Sequence, residues 1–233
     1  MNKKIIGILG GMGPAATADL FSKIIRSTKA ACDQEHLHVI IDSNTDIPDR
    51  TAALLSGGAD PTQQLVLSAR RLEAAGAELI IMPCNTAHCF HDAVSSSVSV
   101  PVLHMIKLTA EELKRRGITC AGLLATDGTV RTGIYERCFE GSGVELITPS
   151  EPAQRAVMDI IYKGVKAGES DFDTTEFEQA AQELLERGAQ TLILGCTELP
   201  PAFEIYDLDY PHTDPTLVLA RAAVLAAGGA LNG

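Results

Sequence analysis

A two-unit α/β fold is what these 233 residues predict, and three observations carry that reading. An apolar run of strand length closes on a cysteine twice, as Leu79-Ile80-Ile81-Met82-Pro83-Cys84-Asn85-Thr86 and as Leu192-Ile193-Leu194-Gly195-Cys196-Thr197-Glu198. Upstream, Leu72, Gly76 and Cys84 map onto Leu184, Gly188 and Cys196 at a constant offset of 112, each set reading as a helix that ends at a C′ glycine and feeds a strand. Gly7, Gly13 and Thr17 map onto Gly122, Gly128 and Thr132 at an offset of 115. Common helix-glycine-strand spacing would explain the glycines but not two cysteines placed alike. The chain therefore reads as one doubly wound α/β unit present twice, with residues 1–103 and 208–233 in the first domain and 104–207 in the second.

Bulk properties narrow the class. An apolar content of 45% is ample for a buried core. No apolar stretch approaches the roughly 20 residues that span a bilayer. Lys3-Lys4-Ile5-Ile6 has the basic start of a signal peptide, but glycines at 7, 10, 11 and 13 interrupt the apolar segment such a peptide needs. Six cysteines without dense or regular spacing do not describe a disulfide framework, which points to reduced thiols in a cytoplasm. A formal charge of −11 argues against nucleic acid as a partner. It leaves room for a small anion held by a few focused cations, which makes individual Arg and Lys positions informative.

The elements justify themselves in order. Lys4 to Leu9 reads as a buried strand, then Gly10-Gly11-Met12-Gly13-Pro14 opens a helix through about Ala30 whose N-terminal N–H groups could meet a carboxylate or phosphate. As a dinucleotide fingerprint, Gly11-x-Gly13-x-x-Ala16 lacks its acidic partner, since Asp33 does not end a second strand. Leu37 to Asp42 is the second strand, and the loop at its C-terminal end contains Arg50, a candidate anion contact beside the alternative of a solvated loop arginine. Asp60-Pro61 offers an N-cap and N1 proline for a helix to Gly76. After Cys84, Asn85 to His91 begins a helix, with His88 and His91 as a helix-end pair. Cys84, His88, Cys89 and His91 lack zinc-site spacing, and no metal is assigned. Val100 to Leu103 is a further short strand.

In the second unit, Ile118 to Ala125 mirrors the first strand and Thr126-Asp127-Gly128-Thr129 opens a helix. Glu151 to Ala167 is helical, with Lys163 and Lys166 near its end. Asp173-Thr174-Thr175-Glu176 starts a helix that leads to the second cysteine strand, and Asp214-Pro215 opens the last helix.

Two strand-end thiols, one per unit, would face each other across a cleft if the units pack about a pseudo-twofold axis. Each would precede a helix whose dipole favours thiolate over thiol. From the usual thiol pKa of about 8.5, a modest shift lets one thiol act as base while the other acts as acid. That suits a carbon acid deprotonated on one face and reprotonated on the other. A redox pair, a single nucleophilic cysteine and a non-catalytic dicarboxylate binder are the alternatives.

Gly11-Met12-Gly13-Pro14-x-Ala16-Thr17, Ile47-Pro48-Asp49-Arg50, Met82-Pro83-Cys84-Asn85-Thr86-Ala87-His88 and Gly195-Cys196-Thr197-Glu198-Leu199 resemble the aspartate/glutamate racemase family over nearly the whole chain, and in particular its aspartate racemase branch. The resemblance implies two Rossmann-like or flavodoxin-like units, a site in the cleft between them, a homodimer, and two-base chemistry on L-aspartate with no pyridoxal phosphate or other cofactor. It implies that Cys84 and Cys196 are the bases, and that Arg50 and Lys166 hold the side-chain carboxylate. Asn85, Thr86 and Thr197 would hold the α-carboxylate, with Met12 and Thr129 as walls. Glu198, also placed among the substrate-binding residues, stands where glutamate racemases have histidine. Glutamate, a broader amino-acid scope, or a related isomerase or decarboxylase reaction remain alternatives. No role is assigned to Cys32, Cys89, Cys120 or Cys138.

Overall fold

The computed structural model describes residues 3–232, and these form two compact units: the residues up to Leu108 together with those from Thr216 onward, and Thr109–Pro215. In chain order the elements are β1 (Ile6–Gly10), α1 (Pro14–Ser27), β2 (Val39–Ser43), α2 (Arg50–Leu55), α3 (Thr62–Ala74), β3 (Leu79–Ile81), α4 (His91–Ser95) and α5 (Met105–Arg115). They continue as β4 (Cys120–Leu124), α6 (Asp127–Arg131), α7 (Ile134–Phe139), β5 (Glu145–Ile147), α8 (Glu151–Asp159), α9 (Thr175–Glu186), β6 (Leu192–Leu194), α10 (Leu199–Ile205), β7 (His212–Thr213) and α11 (Pro215–Ala226). No helix among the described residues is long and apolar enough to cross a membrane.

Each unit holds one parallel sheet, ordered β2-β1-β3 in the first and β5-β4-β6-β7 in the second. The opening strand of each unit lies between the next two, so the internal echo in the sequence is an echo in topology. Alternation explains why the first sheet's strands are apolar throughout. Ile6, Ile8, Leu79 and Ile81 pack with α1 and α11, whereas Leu9, Ile80 and Met82 pack on the other face with α3 and Val94 of α4. A parallel sheet covered on both sides needs such uninterrupted runs. Gly7 is part of the same packing, since a Cβ there would lie 2.8 Å from Ala77 Cβ. In the second unit α8, α9 and α10 close over Leu124, Leu192 and Leu194, with Phe177 of α9 edge-on to Phe203 of α10.

Several boundaries differ from those expected, each for a local reason. α1 stops at Ser27 rather than near Ala30 because Thr28 is extended, its hydroxyl donating to Ile24 O at 2.7 Å. β2 begins at Val39 rather than Leu37. The strand expected at Val100 to Leu103 is reduced to an isolated parallel bridge between Ile80 and Val102, and Pro101 brings no N–H with which to extend a ladder. α3 starts one residue late, with Pro61 in the cap position and Asp60 Oδ1 accepting from Thr62 N–H at 2.9 Å. The expected helix from Glu151 to Ala167 ends as α-helix at Asp159, and Ile160–Val165 winds as a π-helix. There Lys166 N–H reaches back five residues to Ile161 O at 3.0 Å.

His88 and His91 pair at the end of the Thr86–Phe90 turn, their rings stacked with centroids 6.0 Å apart. His88 Nε2 accepts Met105 N–H at 3.0 Å, which fixes the proton on Nδ1, and Nδ1 donates to Cys84 O at 2.8 Å. The His104 ring packs 4.8 Å from His88 and 4.5 Å from His91 between centroids. Burial first, and then repulsion from His104, hold the His88 pKa down to about 3; burial and His91 hold His104 down to about 4.

Two measurements test this packing. Phe177→Ala should cost about 3–5 kcal/mol in urea unfolding, as for a buried aromatic ring removed from a close-packed core. Unfolded His88 titrates near its ordinary value and folded His88 near 3, so the unfolded chain binds more protons and stability falls as pH drops from about 6.5 toward 3. On the order of 3 kcal/mol should be lost to this group between pH 7 and pH 4. His88→Gln should flatten that pH dependence, and an unchanged slope would contradict the assignment.

Candidate active site

The C-terminal edge of each parallel sheet gathers the residues that the sequence singled out. In the first unit β1 runs into Gly11, whose φ is 90° and where a Cβ would lie 2.3 Å from Asn44 O. Only glycine lets the loops after β1 and β2 approach so closely. Gly11 N–H donates to Thr17 Oγ1 at 2.9 Å, and Asn44 Nδ2 donates to Ser68 Oγ at 3.0 Å, so both loops are pinned to the helices behind them. Arg50 opens α2, which Asp49 caps by accepting Ala52 N–H at 2.7 Å. The guanidinium folds back onto main chain, with Nη1 donating to Pro48 O at 3.1 Å and Nη2 to Met12 O at 3.3 Å. Its Nε is buried and has no hydrogen-bond partner among the described residues, a donor of the kind a carboxylate ligand would satisfy. Met12 and Arg50 are thus in direct contact.

Cys84 follows β3 and is 6% exposed, in the same apolar cluster as Met12 and Ile47. Asn85 and Thr86 are buried beside it. The next turn, Thr86–Phe90, is a 3₁₀ helix rather than the α-helix expected. Its contribution to the thiol is positional, because His88 on that turn fixes the Cys84 carbonyl.

In the second unit a side chain at Gly195 would meet Leu123 Cδ1 at 2.7 Å and Leu124 O at 3.0 Å, so the strand end before Cys196 must be glycine for the two strands to pack. The register Leu124↔Leu194 sets the turns after β4 and β6 side by side. On the first of these, Thr126 caps α6 and its hydroxyl meets that of the buried Thr129 at 3.2 Å. Gln154 holds this turn from α8, its Nε2 donating to Ala125 O and Asp127 Oδ1 at 2.9 Å each. On the second turn Cys196 Sγ–H donates to Glu198 Oε2 at 2.9 Å and the Thr197 hydroxyl donates to the same oxygen at 3.3 Å. Glu198 Oε1 lies 3.8 Å from Lys166 Nζ, which also stands 4.3 Å over the Tyr162 ring. Cys196, Thr197, Glu198 and Lys166 therefore form one cluster.

The expectation that a helix dipole favours thiolate fails for Cys196. Burial first, and Glu198 second, push this thiol well above the ordinary range, with Lys166 opposing them. α10 begins only at Leu199, and Leu199 N–H is taken by Cys196 O at 3.0 Å. The carboxylate next door outweighs what the short helix offers. No disulfide joins any of the six cysteines; Cys32 is exposed and Cys89, Cys120 and Cys138 are partly buried. Among the described residues no group of three or more His, Cys, Asp or Glu side chains is placed to hold a metal ion.

The sequence reading gave no supporting role to four features that the structure shows bracing the site: His88, Asn44 with Ser68, Gln154 and Tyr162. His88 carried a signal, since it lies four residues after Cys84 in the cysteine turn. Tyr162 also carried one, four residues before Lys166. The other two act across distant elements, and nothing local marks them.

Comparison with known proteins agrees with this geometry. Residues 9–223 match the Asp/Glu/hydantoin racemase family. A broad-specificity amino-acid racemase from Bacillus subtilis is 28% identical over 94% of this chain and 96% of its own. An aspartate racemase from Picrophilus torridus superposes with a TM-score of 0.87 at 32% identity, covering 98% of this chain and 96% of that one. An aspartate racemase homologue from Pyrococcus horikoshii gives 0.79 at 28% identity, covering 97% and 99%. With a paired motif at the ends of two equivalent strands and a family match across nearly its full length, this chain belongs to the Asp/Glu/hydantoin racemase family.

Proposed function

We propose that this racemase interconverts L- and D-aspartate without pyridoxal phosphate, using Cys84 and Cys196 as a thiolate/thiol pair on opposite faces of Cα. The observation that carries the reading is that each unit supplies its own buried strand-end cysteine and its own cation: Cys84 in a cluster with Met12, on which Arg50 closes, and Cys196 beside Glu198, whose other oxygen faces Lys166 at the end of the π segment. One thiolate removes the Cα proton, the α-carboxylate spreads the resulting charge, and the other thiol returns a proton from the far side. Arg50 and Lys166 meet the substrate's side-chain carboxylate. Backbone and hydroxyl donors at Asn85, Thr86 and Thr197 meet its α-carboxylate, with Met12 and Thr129 as wall residues.

A second reading, broader amino-acid scope, is favoured by the in-chain pairing of Lys166 with Glu198 and by the 40% exposure of the lysine side chain, which weakens any exclusive claim of an acidic substrate on that cation. It is also the printed activity of the B. subtilis relative. One methylene in a pocket is worth about 1–3 kcal/mol, so aspartate and glutamate should differ in kcat/KM by roughly 10–200-fold.

The deciding experiment incubates the protein with L-aspartate in D₂O without pyridoxal phosphate, following the Cα–H signal by NMR and handedness by chiral chromatography. Deuterium at Cα together with D-aspartate is expected. Absence of exchange with aspartate, and with glutamate and neutral or basic amino acids, would overturn the racemase reading. Cys84→Ser and Cys196→Ser should each lower racemisation about 10²–10⁴-fold while each retains Cα exchange from the enantiomer that the remaining thiol deprotonates. Arg50→Leu should lower kcat/KM for aspartate about 10–100-fold, the loss of a charge-assisted contact, and leave alanine turnover much less affected.

A further inference from the structure

Glu198 reaches both a reacting thiol and a cation. Its Oε2 accepts Cys196 Sγ–H at 2.9 Å while its Oε1 lies 3.8 Å from Lys166 Nζ. The titratable groups that face Cys196 are Glu198 from its own turn, Lys166 from the end of the π segment, and the buried Tyr135 phenol of α7, itself held well above its ordinary value by burial. Of these, Glu198 is the one that accepts the thiol proton.

We propose that Glu198 is the proton partner of Cys196, acting through the thiol rather than on substrate: it holds Cys196 protonated in the resting site and takes that proton when Cys196 has to serve as base. In the step, the S–H bond breaks and an O–H bond forms, so Cys196–SH and Glu198–COO⁻ become Cys196–S⁻ and Glu198–COOH with no change in net charge. The raised proton affinity of Cys196 follows from this pairing together with burial. Lys166 sets the poise. Its ammonium, 3.8 Å from Glu198 Oε1, opposes the rise in the proton affinity of Cys196. The resting site therefore presents Cys196 as its acid. This inference rests on the reading of Cys196 as one of the two bases.

Two enantiomers have equal free energy in water, so kcat/KM must remain equal in the two directions at every pH, and turnover alone does not assign a titration to one thiol. The thiol is therefore read directly, by iodoacetamide alkylation of the Cys196 peptide, quantified by mass spectrometry from about pH 6 to 10 in a Cys84→Ser background. Adding Glu198→Gln should move the alkylation midpoint down by at least one pH unit, about tenfold in rate near pH 8, with circular dichroism unchanged. Adding Lys166→Met should move it up. A midpoint that stays fixed in Glu198→Gln overturns the proposal. If that variant does not fold, a midpoint that fails to rise in Lys166→Met overturns it instead. Because alkylation needs no turnover, the two readings fail separately: a shifted midpoint in a protein that racemises nothing sinks the proposed function and leaves the pairing, whereas a fixed midpoint in an active racemase does the reverse.

Discussion

Parallel pairing in register is the constraint on which the rest of each unit depends. With β1 between β2 and β3, and β4 between β5 and β6, every chain reversal at the C-terminal edge must occur within a few residues of the same line. The loops there are forced into contact, and the sequence answers with small or tightly bonded groups: Gly11 against Asn44, Gly195 against Leu123 and Leu124, and Thr126 against Thr129. A cysteine placed immediately after the third strand of each unit is then buried among loops already fixed by their neighbours. A precise site needs supporting residues whose own conformations are locked, and the sheet edges supply them.

Legibility of this arrangement in the sequence followed how local its causes are. The apolar runs, the glycine after each helix and the two cysteine turns are short-range patterns, and the elements they announce are present with ends shifted by a residue or two. The strand at Val100 to Leu103 was overread, because β-propensity carries no information about whether a partner strand extends far enough to pair; only Ile80 and Val102 bridge. The π segment at Ile160–Val165 could not be read from periodicity, since its residues are as apolar on the inner face as those of an α-helix. The protonation of Cys196 was misread for a similar reason: sequence position suggested a helix dipole, but burial first, and a side-chain carboxylate 2.9 Å away second, push the thiol the other way.

The cysteine turns of the two units are built alike in backbone and differently in charge. Around Cys84 the cation, Arg50, is braced by main-chain carbonyls, and His88 is held neutral with its proton committed to the Cys84 carbonyl. Around Cys196 the cation, Lys166, faces a carboxylate that also accepts the thiol proton. A repeated fold thus presents two thiols to chemically distinct surroundings.

The π segment before Lys166 has a consequence for how such a site diversifies. Each residue of an α-helix turns the chain by about 100°, so losing one residue from a π turn and restoring α geometry would swing everything after it by roughly that angle while leaving α8 untouched. Lys166 sits at that boundary, between the Tyr162 ring and Glu198. A single insertion or deletion, rather than a set of point substitutions, is therefore enough to aim or withdraw the cation. Differences in helix length at this place would re-aim the cation from one related chain to another while keeping every strand, glycine and cysteine of the fold.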